Sequence, residues 1–162
     1  MPLVGKITNK SKNGSVTEKS LLLLALLLTA GALRAQVHFE TCPTNVLHQK
    51  ALRTGLPVFI DLYADWCRPC QMMEREVFSQ KEVGRFMEER FVAARYNVNN
   101  PIGYKLMERY GSGSVPLYLV FSPEGELLGR ITGASSAEEL MANLQRILNR
   151  AKTAQKGSDS RR

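Results

Sequence analysis

Cys67 and Cys70, three residues apart, are the side chains in this sequence best placed for covalent chemistry. A Cys-x-x-Cys pair serves either a metal or dithiol–disulfide exchange. Structural zinc takes four ligands, normally with a second Cys or His pair. The remaining candidates, Cys42, His38 and His48, fall at no zinc spacing, so no metal is expected. The redox reading has a mechanism. Residues 56–63, Leu-Pro-Val-Phe-Ile-Asp-Leu-Tyr, are β-branched, aromatic and nearly continuously apolar, as in a strand buried on both faces. From Cys67 the pattern turns helical, with Pro69 where a first-turn proline is tolerated and Met72, Met73, Val77 and Phe78 at helical spacing. A strand running straight into a helix places Cys67 at the helix N-terminus. Unpaired amides and the positive dipole end favour thiolate there, and Arg68 adds a positive charge. Such settings depress a thiol pKa from about 8.5 to between about 3.5 and 7.5. Cys70, one turn later and partly buried, can close a ring with Cys67. The pair is therefore expected to exchange disulfides, Cys67 attacking and Cys70 resolving.

Other residues could join this chemistry. Asp61 lies inside the apolar run, six residues before Cys67. A buried carboxylate is costly unless neutral or paired, so its pKa is expected to be raised. The alternative is an acid at a strand end that reaches solvent. Cys42 is either a small packed hydrophobe or a third redox thiol able to pair with Cys67 or a partner. His38 and His48 are expected at the surface, and Met72, Met73, Met87, Met107 and Met141 in the core.

The elements that must position these residues follow from periodicity and punctuation. A helix is predicted over 45–54, with Thr44 or Asn45 as cap and Gly55 as stop. After the strand at 56–63 and the helix from Cys67, Ser79-Gln80-Lys81-Glu82 reads as a capping box for a helix over 80–89. A strand over 91–98 and a helix over 102–110, opened by Pro101, come next. Residues 117–121 and 126–132 form a hairpin around Pro123-Glu124-Gly125. Ser136 with Glu139 caps a last helix over 137–151. The expected fold is α/β, a central mixed sheet flanked by helices on both faces, in one domain over 36–151.

The segment Phe59-Ile60-Asp61-Leu62-Tyr63-Ala64-Asp65-Trp66-Cys67-Arg68-Pro69-Cys70 resembles the active-site strand and loop of thioredoxins. It is most similar to the C-terminal periplasmic domain of the transmembrane disulfide reductase DsbD and its stand-alone relatives. Ala94-Arg95-Tyr96-Asn97-Val98-Asn99, Val115-Pro116 and Leu128-Gly129-Arg130-Ile131-Thr132-Gly133 extend the likeness in the right order, over about 57–148. The resemblance implies the thioredoxin fold, with Cys67 as nucleophile and Cys70 as resolving thiol. It implies that Trp66 shapes the docking surface beside the dithiol. It also implies a cis Pro116, which spacing alone leaves trans, with the Val115 backbone pairing to an extended substrate. Asp61 would accept a proton from Cys70 through water. Arg95 stands where the family has a lysine and would supply charge only, because a guanidinium does not give up its proton. Pro69 before the second cysteine is thioredoxin-like and favours a reducing dithiol. Arg68 and the loop Gly111-Ser112-Gly113-Ser114 depart from the pattern, so partner identity does not transfer.

The chain ends carry a different message. Lys6, Lys10, Lys12 and Lys19 precede the apolar run 21–28 and the small residues Ala30, Gly31 and Ala32, which reads as a secretory signal over 1–35. Residues 152–162 read as a disordered polar tail. The net charge of +7 lies in these two ends; residues 36–150 hold thirteen basic and thirteen acidic side chains. Mixed, balanced charge argues against a nucleic-acid partner. The expectation is an exported, periplasmic, monomeric oxidoreductase with no cofactor beyond the Cys67–Cys70 disulfide. Its partners would be protein disulfides and a membrane thiol-disulfide electron donor. The alternatives are a disulfide-donating oxidase, or a binding or chaperone module with a vestigial dithiol.

Overall fold

A computed structural model describes residues 36–111 and 113–159; the signal assigned to 1–35 lies outside the described residues. The chain runs α1 (Thr44–Thr54), β1 (Val58–Tyr63), α2 (Arg68–Met72, continuing as a π-helical segment Met73–Phe78), α3 (Lys81–Arg90), β2 (Val92–Asn97), α4 (Pro101–Tyr110), β3 (Leu117–Phe121), β4 (Leu127–Thr132) and α5 (Ala137–Asp159). The strands form one mixed sheet in the order β2-β1-β3-β4. Strand β1 runs parallel to β2, with Asp61 opposite Arg95, and antiparallel to β3, with Asp61 opposite Tyr118. The expected α/β architecture, helices on both faces of a mixed sheet, is what the chain adopts.

Alternation along the strands divides the core in two. Phe59, Tyr118 and Val120 pack with Met73, Val77 and Phe78 of α2 and with residues of α3 and α5. Ile60, Leu62 and Leu119 pack with Leu47 and Ala51 of α1 and Ile102 and Leu106 of α4. Each such side chain, fully buried, contributes about 1.5–3 kcal/mol. Helix α1 ends at Gly55, whose φ of 67° is the left-handed cap that suits glycine. At Gly103 a Cβ would lie 2.1 Å from the Asn97 carbonyl oxygen, so only glycine lets α4 approach the end of β2 this closely.

Four local expectations give way to the structure. The cap of α1 is Pro43, which makes no side-chain bond, rather than Thr44 or Asn45. The first capping box does not form: the Ser79 hydroxyl donates instead to the Arg75 carbonyl at 2.6 Å, and Gln80 occupies the cap without a side-chain bond. The box at Ser136 and Glu139 does form, each side chain accepting from the other's amide at 3.2 Å. The helical run after Cys70 widens to π geometry, which brings Met73, Val77 and Phe78 onto the buried side while Glu74, Arg75 and Glu76 stay exposed. Helix α5 continues to Asp159 rather than ending at Ala151. Good helix formers such as Lys152, Ala154 and Gln155 carry it past Leu148, its last buried residue, with no proline to stop it.

Candidate active site

Strand β1 ends at Tyr63, and four residues later Cys67 caps α2 in an extended conformation (φ −80°, ψ 100°). Its sulfur accepts the Cys70 amide at 3.2 Å, so a sulfur takes the place of the usual N-cap oxygen. This amide is one that any negative charge on Cys67 would meet. Cys67 and Cys70 are joined in a disulfide, Cα atoms 5.3 Å apart. Both are buried, together with Ala64, under Tyr63, Val98 and Val115. The sheltering expected of Cys70 alone thus extends to Cys67 in this oxidised state. Arg68 and Pro69 lie exposed in the first turn, and the Trp66 ring stands 68 % exposed beside the pair. The Val115–Pro116 bond is cis, and the Val115 side chain packs against the two cysteines.

The loop between β1 and α2 is braced by groups that the sequence did not single out. Asn97, at the end of β2, donates from Nδ2 to Asp65 Oδ2 at 2.9 Å and accepts the Asn99 amide at 2.9 Å. Gln71 Nε2 donates to the Asp65 carbonyl at 2.7 Å. Polarity alone gave no signal for Asn97, because its partner Asp65 lies 32 residues away in sequence.

Asp61 is 1 % exposed, inside β1 as expected, and not at a solvent-reaching strand end. Arg95, its register partner on β2, brings Nε to 2.9 Å from Oδ2. The Nε–H is not aimed at that oxygen, and among the described residues neither Arg95 Nε nor Asp61 Oδ1 has a hydrogen-bond partner. Arg95 then reaches outward: its Nη1 lies 3.0 Å from Oε2 of Glu74, a half-exposed residue of α2. Its guanidinium also covers the Tyr63 ring at 4.0 Å. Burial pushes the Asp61 carboxyl up to about 7, against the opposing pull of Arg95. Glu74 is a member of this chain that sequence reading missed; its only signal is its place four residues after Cys70. Tyr118, opposite Asp61 on β3, is fully buried, and its hydroxyl has no partner.

Cys42 is free and half-buried against the α1/α4 core, while the dithiol forms its own cluster. Its carbonyl accepts the Tyr96 hydroxyl at 2.8 Å. Among the described residues no group of three or more His, Cys, Asp or Glu side chains could hold a metal. No helix among them is long and apolar enough to cross a membrane.

With a disulfide at a strand-to-helix corner and a cis-proline beside it, the chain also matches the family model of the thioredoxin-like domain over residues 46–148. The chain belongs to the thioredoxin-like family. It is 31 % identical over 143 residues to the thiol:disulfide interchange protein DsbD of Yersinia pestis, covering 77 % of this chain and 24 % of that protein. The chain therefore spans about a quarter of the length of this relative. Among solved structures it is similar to the oxidised C-terminal domain of Neisseria meningitidis DsbD, at 26 % identity and a TM-score of 0.55, covering 68 % of this chain and 97 % of that one. A putative disulphide-isomerase from Bacteroides thetaiotaomicron shares the fold, with a TM-score of 0.65 at 24 % identity over 72 % of this chain and 97 % of that one. In this thioredoxin-like chain the dithiol pair is the part of the site equipped for thiol–disulfide exchange.

Proposed function

We propose that this chain is an exported oxidoreductase that reduces protein disulfides. The observation that carries the reading is the Cys67 sulfur at the cap of α2, accepting the Cys70 amide. In the reduced protein the Cys67 thiolate attacks a substrate disulfide, forming a mixed disulfide and expelling one substrate thiolate. Cys70, deprotonated, attacks the Cys67 sulfur; the Cys67–Cys70 disulfide forms and the second substrate thiol leaves. Two electrons pass from the dithiol to the substrate. Asp61 is our candidate to take the Cys70 proton through water, since a carboxyl near 7 shares the proton at neutral pH. The Val115 backbone, which no described residue hydrogen-bonds, is free to pair with an extended substrate segment. Trp66 supplies an exposed apolar contact for it. Reduction outside the cytoplasm needs electrons from within, so the donor is a membrane thiol-disulfide protein, in keeping with the likeness to DsbD.

Insulin reduction driven by dithiothreitol tests the activity. Wild-type protein is expected to reduce insulin, and Cys67→Ser to lose the catalysed rate; equal rates would leave a binding module. Equilibration with glutathione tests the direction. A potential near about −270 mV, as in thioredoxin, supports reduction, and one near about −120 mV reverses it. Cys70→Ser is expected to accumulate mixed disulfides with the natural substrates.

A further inference from the structure

On the sheet face opposite Asp61, between α1 and α4, lies a cavity of about 440 Å³. That volume falls within the roughly 300–1,000 Å³ of small-molecule sites. Val58, Ile60 and Phe121 form its floor, near the end of β1 remote from the dithiol. Its walls are Leu47 from α1 and Ile102 and Leu106 from α4. Tyr110, stacked edge-on to Phe121 at 5.1 Å, closes one end. None of the residues lining it is acidic, whereas His48, Lys105 and Arg109 all line it. His48 sits against the β3–β4 turn, its ring beside Gly125. Lys105 and Arg109 are exposed, four residues apart on the same side of α4 as Ile102 and Leu106. Neither forms an ion pair among the described residues.

An apolar trough edged by two cations, neither of them ion-paired among the described residues, is complementary to one chemical class. We propose that this cavity binds a small amphipathic carboxylate, its hydrocarbon chain over Val58, Ile60 and Leu106 and its carboxylate at Lys105 and Arg109. A neutral apolar molecule would fill the trough and leave both cations unanswered. A compact inorganic anion would meet the cations and leave the floor empty. The site is separate from the proposed exchange chemistry, because its residues lie on the other sheet face from Asp61 and none touches Cys67 or Cys70.

Titration of the full ¹⁵N-labelled chain with decanoate, followed by amide NMR, tests this, with decanol as the neutral probe. Saturable shifts confined to α1, α4, the start of β1 and the end of β3 with the turn after it are expected, with decanoate binding more tightly than decanol. The double variant Lys105→Ala/Arg109→Ala should weaken decanoate at least about fivefold while leaving decanol unchanged, as loss of charge pairing at a partly exposed site predicts. Leu106→Trp, which fills the trough, should abolish binding of both. Insulin reduction by the double variant should match wild type, which separates this site from the dithiol. The proposal is overturned if decanoate does not saturate, if its shifts map to another face, or if the double variant binds it as wild type does.

Discussion

Ile60 and Asp61 are successive residues of β1, both buried, and they face opposite sides of the sheet. On the α1/α4 side the buried strand residues Ile60, Leu62 and Leu119 are apolar, and the one polar tip, the Tyr96 hydroxyl, donates to the Cys42 carbonyl. On the α2/α3/α5 side Asp61 and Arg95 form an ion pair, Asp61 Oδ1 and the Tyr118 hydroxyl have no hydrogen-bond partner among the described residues, and the three side chains belong to register neighbours on adjacent strands. Buried polar groups are nearly always paired. Both faces bury an apolar core, and the second also carries a costly buried polar cluster beside the dithiol helix. A buried carboxyl raised to about 7 within such a cluster marks a candidate functional site.

The largest effect that would sharpen this contrast lies on the apolar face. Leu119→Ala removes a fully buried side chain and should cost about 2–5 kcal/mol in urea unfolding, with insulin reduction per folded molecule unchanged. A loss below about 1 kcal/mol would show that this face contributes little stability.

Asp61→Asn should act in the opposite sense. The native carboxyl binds its proton up to about pH 7, whereas the unfolded one, with the ordinary aspartate value of 3.8, releases it earlier. Between these values the native state holds more protons than the unfolded state, so stability falls as pH rises from about 4 to about 7 and is level above. Asp61→Asn should flatten this slope and leave the protein roughly 2–4 kcal/mol more stable than wild type at pH 8. Urea midpoints at pH 4, 6 and 8 measure it; an unchanged slope would place the titration elsewhere.

How much of this was legible in the sequence follows from how local each feature is. The strand-to-helix corner, the Cys67–Cys70 pair and the burial of Asp61 all lie within thirteen residues and follow from periodicity and end effects. The ion pair between Asp61 and Arg95 needed the parallel register of β1 and β2, which the family likeness supplied. Glu74 and Asn97 were not legible, because Glu74 meets Arg95 and Asn97 meets Asp65 only once β2 is docked beside β1. The π segment and the lost capping box at Ser79 are local but arise from competition: the Ser79 hydroxyl had two carbonyl or amide partners within reach, and packing of Val77 and Phe78 chose between them. Helix α5 overran its predicted end because exposed polar residues with good propensity look the same in a helix and in a tail.

The smallest effects decide whether the orphaned hydroxyl is a true difference between the faces. Tyr96→Phe removes a donor that the Cys42 carbonyl uses, so it should cost about 0.5–1.5 kcal/mol, the net worth of an ordinary hydrogen bond. Tyr118→Phe removes a buried hydroxyl that has no partner, so the same deletion should be neutral or stabilising by up to about 1 kcal/mol. The stacking of its ring on Phe59, at 5.5 Å, survives the change and keeps the packing term constant. Urea unfolding of both variants at pH 8, where Asp61 is ionised, makes the comparison direct. If Tyr118→Phe costs as much as Tyr96→Phe, the Tyr118 hydroxyl has a partner in solution, and the Asp61 carboxylate across the strand pair is the acceptor its register places nearest.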